Sequence, residues 1–363
     1  MTAGFSPPPY PYDRLDEIVA IAGRHEGGAV DLSIGTPCDP SPDAVLAALC
    51  AGDSARGYPP SIGTKELRAA AAGWIHRRLG ATVDPAAQVA ACVGTKEFVA
   101  SLPQYLKLRD PSRDTVLYPA ISYPTYEMGA TLAGLRAVPY LELADIDDRD
   151  ARRALAIWVN SPANPTGELH DLDAAAAWGR ERAVPVISDE CYAEFTWSGP
   201  ATTILRNGTD GLLAVHSLSK RDNFAGARIG FYAGDGALVH YLREVRKHAG
   251  LMPPGPVQAA AVVALGDDAH VEVQRERYRA RLARLVEVLA AAGYPAALPA
   301  GAFYLWVAAP EGDAWQMARD LAAKAGVVVS PGEFYGPHGA GFVRVAAVQP
   351  DDRVELAASR IGA

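Results

Sequence analysis

Short apolar runs punctuate the first two thirds of the chain. Each ends in a polar or glycine-bearing corner and hands over to a segment with helical spacing. Val89–Val93, Thr115–Tyr118, Ala137–Leu141, Leu155–Val159, Val184–Ser188 and Leu212–Val215 read as buried strands, with Ile229–Ala233 closing the series. Between them the pattern predicts helices over Glu97–Leu106, near Tyr123–Leu132 and over Asp171–Arg182, while Asp145–Asp150 reads as an acidic linker. Upstream come a Pro-rich extended arm (residues 1–12), a short helix Tyr12–Gly23 and a strand Val30–Gly35. A helix Asp43–Leu49 follows, then a helix Lys65–Leu79 capped by Thr64. Apolar strands alternating with helices predict an α/β fold, its mostly parallel sheet covered on both faces.

Beyond Ala237 the rhythm changes. A helix Ala237–His248 runs into a break at Met252–Pro256, and a charged amphipathic helix covers His270–Ala291. Strand-like pieces at Phe303–Val307, Val327–Val329 and Phe342–Ala346 surround a helix Ala314–Ala325, as in an α+β domain. With 363 residues, two domains are expected. A 49% apolar, 21% charged composition fits a soluble globular protein, and a net charge of −8 argues against nucleic acid or an anionic membrane as main partner. The four cysteines are scattered, with no histidine at ligand spacing, so they read as reduced core thiols and no metal is expected. The start lacks the basic and apolar regions of a signal peptide, and no apolar run reaches the ~20 residues of a membrane span, so the expected location is cytoplasmic.

Four polar clusters fall at carboxyl ends of predicted strands, where open α/β sheets bind ligands: Gly94-Thr95-Lys96, Asn164, Asp189 with Tyr192, and Ser217-Leu-Ser219-Lys220. Hydroxyls with the guanidinium of Arg228 make a phosphate-binding set, and a lysine beside a bound phosphate can form an imine with an aldehyde. That combination suggests pyridoxal phosphate (PLP). Gly94-Thr95-Lys96 would offer free N–H groups at a helix start to the phosphate. Asp189 would pair with the pyridinium nitrogen, Tyr192 and Asn164 with the phenolic oxygen, and Tyr123 would stack on the ring. Taken singly, these groups have plainer readings. Lys220 could be a surface base, Thr95 a helix cap, Asp189 a cap or an arginine partner, and the others loop or core residues. Their convergence on one sheet edge favours the ligand.

The motifs Asn164-Pro-Thr-Gly, Ser188-Asp189-Glu190-x-Tyr192, Ser217-x-Ser219-Lys220 with Arg228, and Val343-Arg344-Val345 occur in one order. In this the chain resembles fold-type I, class I/II PLP-dependent aminotransferases over nearly its whole length. The resemblance implies that Lys220 forms the imine and moves the substrate proton. It implies that Asp189, Tyr192, Asn164 and Tyr123 hold the ring, and that Gly94, Thr95, Lys96, Ser217, Ser219 and Arg228 surround the phosphate. Arg344 would grip the substrate α-carboxylate with Asn164 and Gly35 assisting, and the Asn164–Pro165 bond can be cis. Tyr58 would reach the neighbouring subunit's site in a homodimer. The pattern and the resemblance together divide the chain into residues 1–40 (arm and part of a small domain), 41–255 (large PLP-binding domain) and 256–363 (C-terminal small domain).

Within the family, Val30-Asp-Leu-Ser-Ile-Gly-Thr-Pro and Pro331-Gly-Glu-Phe-Tyr-Gly-Pro are similar to actinobacterial N-succinyldiaminopimelate aminotransferases. The implied reaction moves an amino group from glutamate to a keto acid by a ping-pong route, in lysine and diaminopimelate biosynthesis. Arg221-Asp-Asn-Phe, just after the lysine, departs from that subgroup. A second substrate carboxylate would need another cation, for which Arg246, Lys247 and Arg56 are candidates. Alternatives are an aminotransferase of different keto-acid specificity, a PLP-dependent C–S β-lyase, or a non-catalytic ligand-sensing domain. The intact Lys220 and Asp189 argue against the last.

Overall fold

The computed structural model describes residues 5–51 and 56–363; residues 1–4 of the expected arm lie outside the described residues. The strands are β1 (Val30–Asp31), β2 (Val89–Cys92), β3 (Thr115–Pro119), β4 (Arg136–Tyr140), β5 (Ala154–Asn160), β6 (Val186–Asp189), β7 (Leu212–Ser217), β8 (Gly230–Gly234), β9 (Tyr304–Ala308), β10 (Val327–Val328), β11 (Ser330–Pro331) and β12 (Phe342–Ala346). Seven of them form one sheet in the order β2-β8-β7-β6-β5-β3-β4. All neighbours are parallel except β8, which runs antiparallel to both β7 and β2. The carboxyl ends of β2, β5, β6 and β7 therefore share an edge.

The continuous apolar character of the inner strands follows from burial on two faces. In β5, Ile157 and Val159 pack with Leu172 and Trp178 on one side. Leu155 and Trp158 pack with Phe98 and Tyr126 on the other. A separate core joins the two ends of the chain. Leu15 and Ile18 meet Leu282 and Leu285, with Val307 and Val343 from the antiparallel sheet β11-β12-β9. Among the described residues no helix is long and apolar enough to cross a membrane.

Of the cysteines expected in the core, Cys92 is buried but Cys38 and Cys50 are exposed. Several elements differ from expectation for local reasons. Strand β1 stops after two residues because the N–H and Oγ of Ser33 both donate to Asp31 Oδ1, turning the chain. The acidic linker Asp145–Asp150 runs into a helix, Asp148–Arg153, capped by Asp147, which accepts from Arg149 N at 2.7 Å. The break at Met252–Pro256 leads directly into a helix, Gly255–Gly266, with proline in its first turn. That helix puts Val257, Ala260 and Ala264 into the core that also holds Val45 and Leu67. Thr64 does cap its helix, accepting from Leu67 N at 3.1 Å, and the last turn, Ile75–Leu79, widens to π geometry.

Candidate active site

At the shared carboxyl edge lies a cavity of about 440 Å³. From the strand corners it is lined by Thr95, Lys96, Asn164, Asp189, Tyr192, Ser217, Ser219 and Lys220. Gly35, Tyr123, Arg228 and Arg344 complete the expected set. Gly94 stands behind Arg228, and Tyr58 lies elsewhere, 98% exposed beside Pro59, Gly255 and Val262.

Lys220 sits not on a loop but on a single helical turn, Leu218–Arg221, whose Ser217 side chain accepts from Ser219 N at 3.1 Å. Its Nζ points into the cavity and donates to the Gly35 carbonyl. Burial pushes this amine down to about 8, and Arg344 and Arg228 reinforce the fall against Cys191 and Asp189. Asp189, at the end of β6, is buried, which holds its carboxyl above the ordinary value. Its Oδ2 accepts from Tyr126 Oη at 2.8 Å and its Oδ1 from Cys191 N at 3.1 Å.

At the opposite corner Gly94 adopts φ 75° and ψ 150° as the N-cap of the helix Thr95–Arg109. A Cβ there would lie 2.2 Å from Arg228 Nη2, so the missing side chain is what lets the guanidinium lie against the helix start. Thr95 does not cap the helix; its hydroxyl accepts weakly from Cys191 Sγ at 3.5 Å. Arg228 Nη1 donates to Ala225 O at 2.9 Å and has no carboxylate partner among the described residues.

Arg344 is 2% exposed, and it too lacks a carboxylate among the described residues. Nη1 donates to Asn164 Oδ1 at 2.8 Å, and Nη2 to Ser33 O at 2.6 Å and Tyr12 Oη at 3.1 Å. Its guanidinium carbon lies 4.1 Å from the Tyr304 ring centroid and 4.8 Å from that of Tyr335. Asn164 is itself fixed: its N–H donates to Asn160 Oδ1 at 2.8 Å, and both Asn164–Pro165 and Ser161–Pro162 are cis. Tyr192 Oη shares a 2.8 Å hydrogen bond with Tyr304 Oη.

Sequence reasoning missed Tyr10, Tyr12, Tyr126, Asn160, Cys191 and Tyr304, all in the lining. Tyr126 carried a signal, because it follows Tyr123 by one helical turn. The others did not stand out. Of the candidate cations, Arg246 is buried against Glu97 at 2.6 Å and Lys247 pairs with Glu244 at 2.7 Å; neither lines the cavity, nor does Arg56. Arg221 also turns away. It donates to Asp222 Oδ1 at 2.7 Å and Ala264 O at 2.8 Å, so the departure after Lys220 lies behind the site and does not shape it.

The residues present fit PLP. A buried carboxylate held by neutral donors awaits a cation, a lysine of lowered basicity awaits an aldehyde, and a guanidinium cleared by a glycine awaits a phosphate. The fold and this site define a PLP-dependent transferase of amino groups. The profile of the family "Aminotransferase class I and II" matches residues 28–361, and the chain belongs to that family. It is 43% identical to the 4-dedimethylamino-4-oxo-anhydrotetracycline transaminase of Streptomyces rimosus, over 98% of this chain and 99% of that protein. Among solved structures it resembles an aminotransferase of Neisseria meningitidis (TM-score 0.89, 31% identity, 98% of this chain and 97% of that one). It also resembles a probable N-succinyldiaminopimelate aminotransferase of Thermus thermophilus (TM-score 0.86, 30% identity, 97% and 99%). The fold is thus that of fold-type I aminotransferases.

Proposed function

We propose that the chain transfers an amino group from glutamate to N-succinyl-2-amino-6-ketopimelate by a ping-pong route, acting as a cytoplasmic homodimer. In this reading residues 41–255 form a large cofactor domain and the two chain ends a smaller one. The observation that carries the reaction type is the placement around one cavity of Lys220, Asp189 and Arg344, the last without a carboxylate partner among the described residues. The named acceptor is supported by the likeness to the Thermus thermophilus protein.

When bound, PLP supplies an aldehyde and a ring that takes up the electrons left as the substrate Cα proton departs. The chain's own residues do the rest. Arg344, held by Asn164, Ser33 and Tyr12, orients the α-carboxylate and hence the Cα–H bond. Lys220 Nζ, partly unprotonated near neutral pH, takes that proton and returns it at the other end of the reacting system. Asp189 would pair as a carboxylate with the ring nitrogen, with Tyr126 fixing its Oδ2. Arg228 and the hydroxyls of Thr95, Ser217 and Ser219 would hold the phosphate, and Tyr123, Tyr192 and Asn164, which line the same cavity, would hold the ring.

The 43% identity to the tetracycline-intermediate transaminase favours a second reading, with a polycyclic ketone as acceptor. The test reconstitutes the protein with PLP, bleaches its visible band with glutamate and offers each acceptor in turn. Return of the band with the succinylated keto acid supports the first reading; return only with the cyclic ketone supports the second. Release of pyruvate and ammonia from cysteine conjugates, with no return, would make the protein a β-lyase.

A further inference from the structure

Six of the described residues lining the cavity are tyrosines. Tyr126 donates to Asp189, and Tyr12 accepts from Arg344 at 3.1 Å. Tyr10 accepts from Lys96 Nζ at 3.3 Å, so this lysine, expected beside the phosphate, reaches to the N-terminal arm instead. Tyr192 and Tyr304 bond each other, their oxygens 2.8 Å apart. Tyr192 has an expected task at the ring's phenolic oxygen. Tyr304 has no such task, yet it touches three groups that have one.

Tyr304 opens β9 opposite Ala346 of β12, and Arg344 pairs with Trp306 two residues on. Tyr304 and Arg344 are therefore diagonal neighbours on one face of the antiparallel pair, which puts the guanidinium carbon 4.1 Å from the ring centroid. The ring also lies against Gly35. A Cβ there would fall 2.7 Å from Tyr304 Cζ, so the glycine makes room for the phenol. The carbonyl of the same Gly35 accepts from Lys220 Nζ. Tyr304 is buried, and Arg344, Tyr192, Tyr12 and Cys191 face it. Burial holds the phenols of Tyr192 and Tyr304 and the Cys191 thiol above their ordinary values, so all three keep their protons near neutral pH.

We propose that Tyr304 is a positioning residue of the reaction. Its ring backs the guanidinium that takes the substrate's α-carboxylate, and its hydroxyl strengthens the hydrogen bond from Tyr192 to the cofactor's phenolic oxygen. The inference rests on the aminotransferase reading and adds a residue to it. With the Tyr192 proton turned to the cofactor, Tyr304 is the donor between the two hydroxyls, and a phenol that accepts such a bond is itself a stronger donor. A donor to the phenolic oxygen stabilises its negative charge and weakens its pull on the proton at Lys220 Nζ. The visible band of the loaded protein then titrates at lower pH.

The test compares wild type, Tyr192→Phe, Tyr304→Phe, Tyr304→Leu and the double Phe variant, each loaded with PLP and free of substrate. Tyr304→Phe is expected to move the midpoint of the band's pH titration upward by roughly 0.4–1 pH unit, the worth of one neutral hydrogen bond. Tyr192→Phe moves it further, and adding Tyr304→Phe to it moves the midpoint no more, because the hydroxyl acts through Tyr192. Binding of valerate at Arg344, read from the same band, stays within about twofold in Tyr304→Phe, which keeps the ring. Tyr304→Leu weakens valerate by roughly 2- to 30-fold, the worth of a cation over an aromatic face. Tyr304→Phe removes one oxygen only and keeps the test decisive where Tyr304→Leu fails to load PLP. An unmoved midpoint in a Tyr304→Phe protein of wild-type Tm, or shifts that add in the double variant, would overturn the proposal. Wild-type valerate binding in Tyr304→Leu would overturn it too. The same shifts in a protein that transfers no amino group would sink the aminotransferase reading and spare the contact between Tyr304 and Tyr192.

Discussion

Gly94→Ala probes the link between backbone geometry and cofactor binding. At φ 75° and ψ 150° the residue occupies a region essentially closed to side chains, so alanine is strained by roughly 1–3 kcal/mol. The added Cβ would lie 2.2 Å from Arg228 Nη2, 2.7 Å from Cζ and 3.3 Å from Nη1, so the whole guanidinium must move. Arg228 has little room to yield, because its own backbone is left-handed (φ 57°) and Nη1 is tied to Ala225 O. Losing one hydrogen bond between charged groups removes roughly 1.5–3 kcal/mol, about 10- to 150-fold in affinity. The assay titrates the apoprotein with PLP and, separately, with pyridoxal, which shares the aldehyde but lacks the phosphate. The variant should lose most of the preference for PLP over pyridoxal, with a lowered Tm. If both weaken equally, Arg228 does not hold the phosphate and the reasoning fails.

Two further outcomes are expected. Asp189→Asn should still bind PLP but lower kcat by roughly 10- to 1000-fold, since an opposite charge beside a titrating nitrogen is worth about 1–3 pH units. A kcat within about threefold of wild type would remove Asp189 from its role. His270 tests stability against pH. Burial opposes its charge, but hydrogen bonds to Asp222 and Asp267 outweigh that and raise it above its ordinary value. A group raised on folding stabilises fully below its unfolded value of about 6.5, and this is lost as pH climbs through the folded value. His270→Gln should therefore lower Tm more at about pH 5.5 than at about pH 9, and the opposite order would contradict the ion pair.

The central sheet was legible because its inner strands bury both faces and so read as unbroken apolar runs, and the polar corners after them marked Lys220, Asp189 and Asn164. The same local logic could not find Tyr12 or Tyr304. Nothing around either residue announces a contact with Arg344, which is brought to them only by the packing of the two chain ends. Arg221 misled for a geometric reason: successive residues on a helical turn point about 100° apart, so the neighbour of a site lysine faces the core. Arg246 stood as a candidate for a second substrate carboxylate because its partner Glu97 lies on a helix far away in sequence. The helix Gly255–Gly266 was hidden by its own start, since a proline that opens a helix looks like one that breaks it.

The role of Lys220 is tested most directly by borohydride reduction of the PLP-loaded protein, followed by peptide mass mapping with and without prior treatment with glutamate. A cofactor adduct on Lys220 is expected, lost after glutamate because the amino group has passed to the cofactor and freed the lysine. An adduct on any other lysine, or one on Lys220 that glutamate leaves untouched, would contradict the assignment of this chain as a Lys220-dependent aminotransferase.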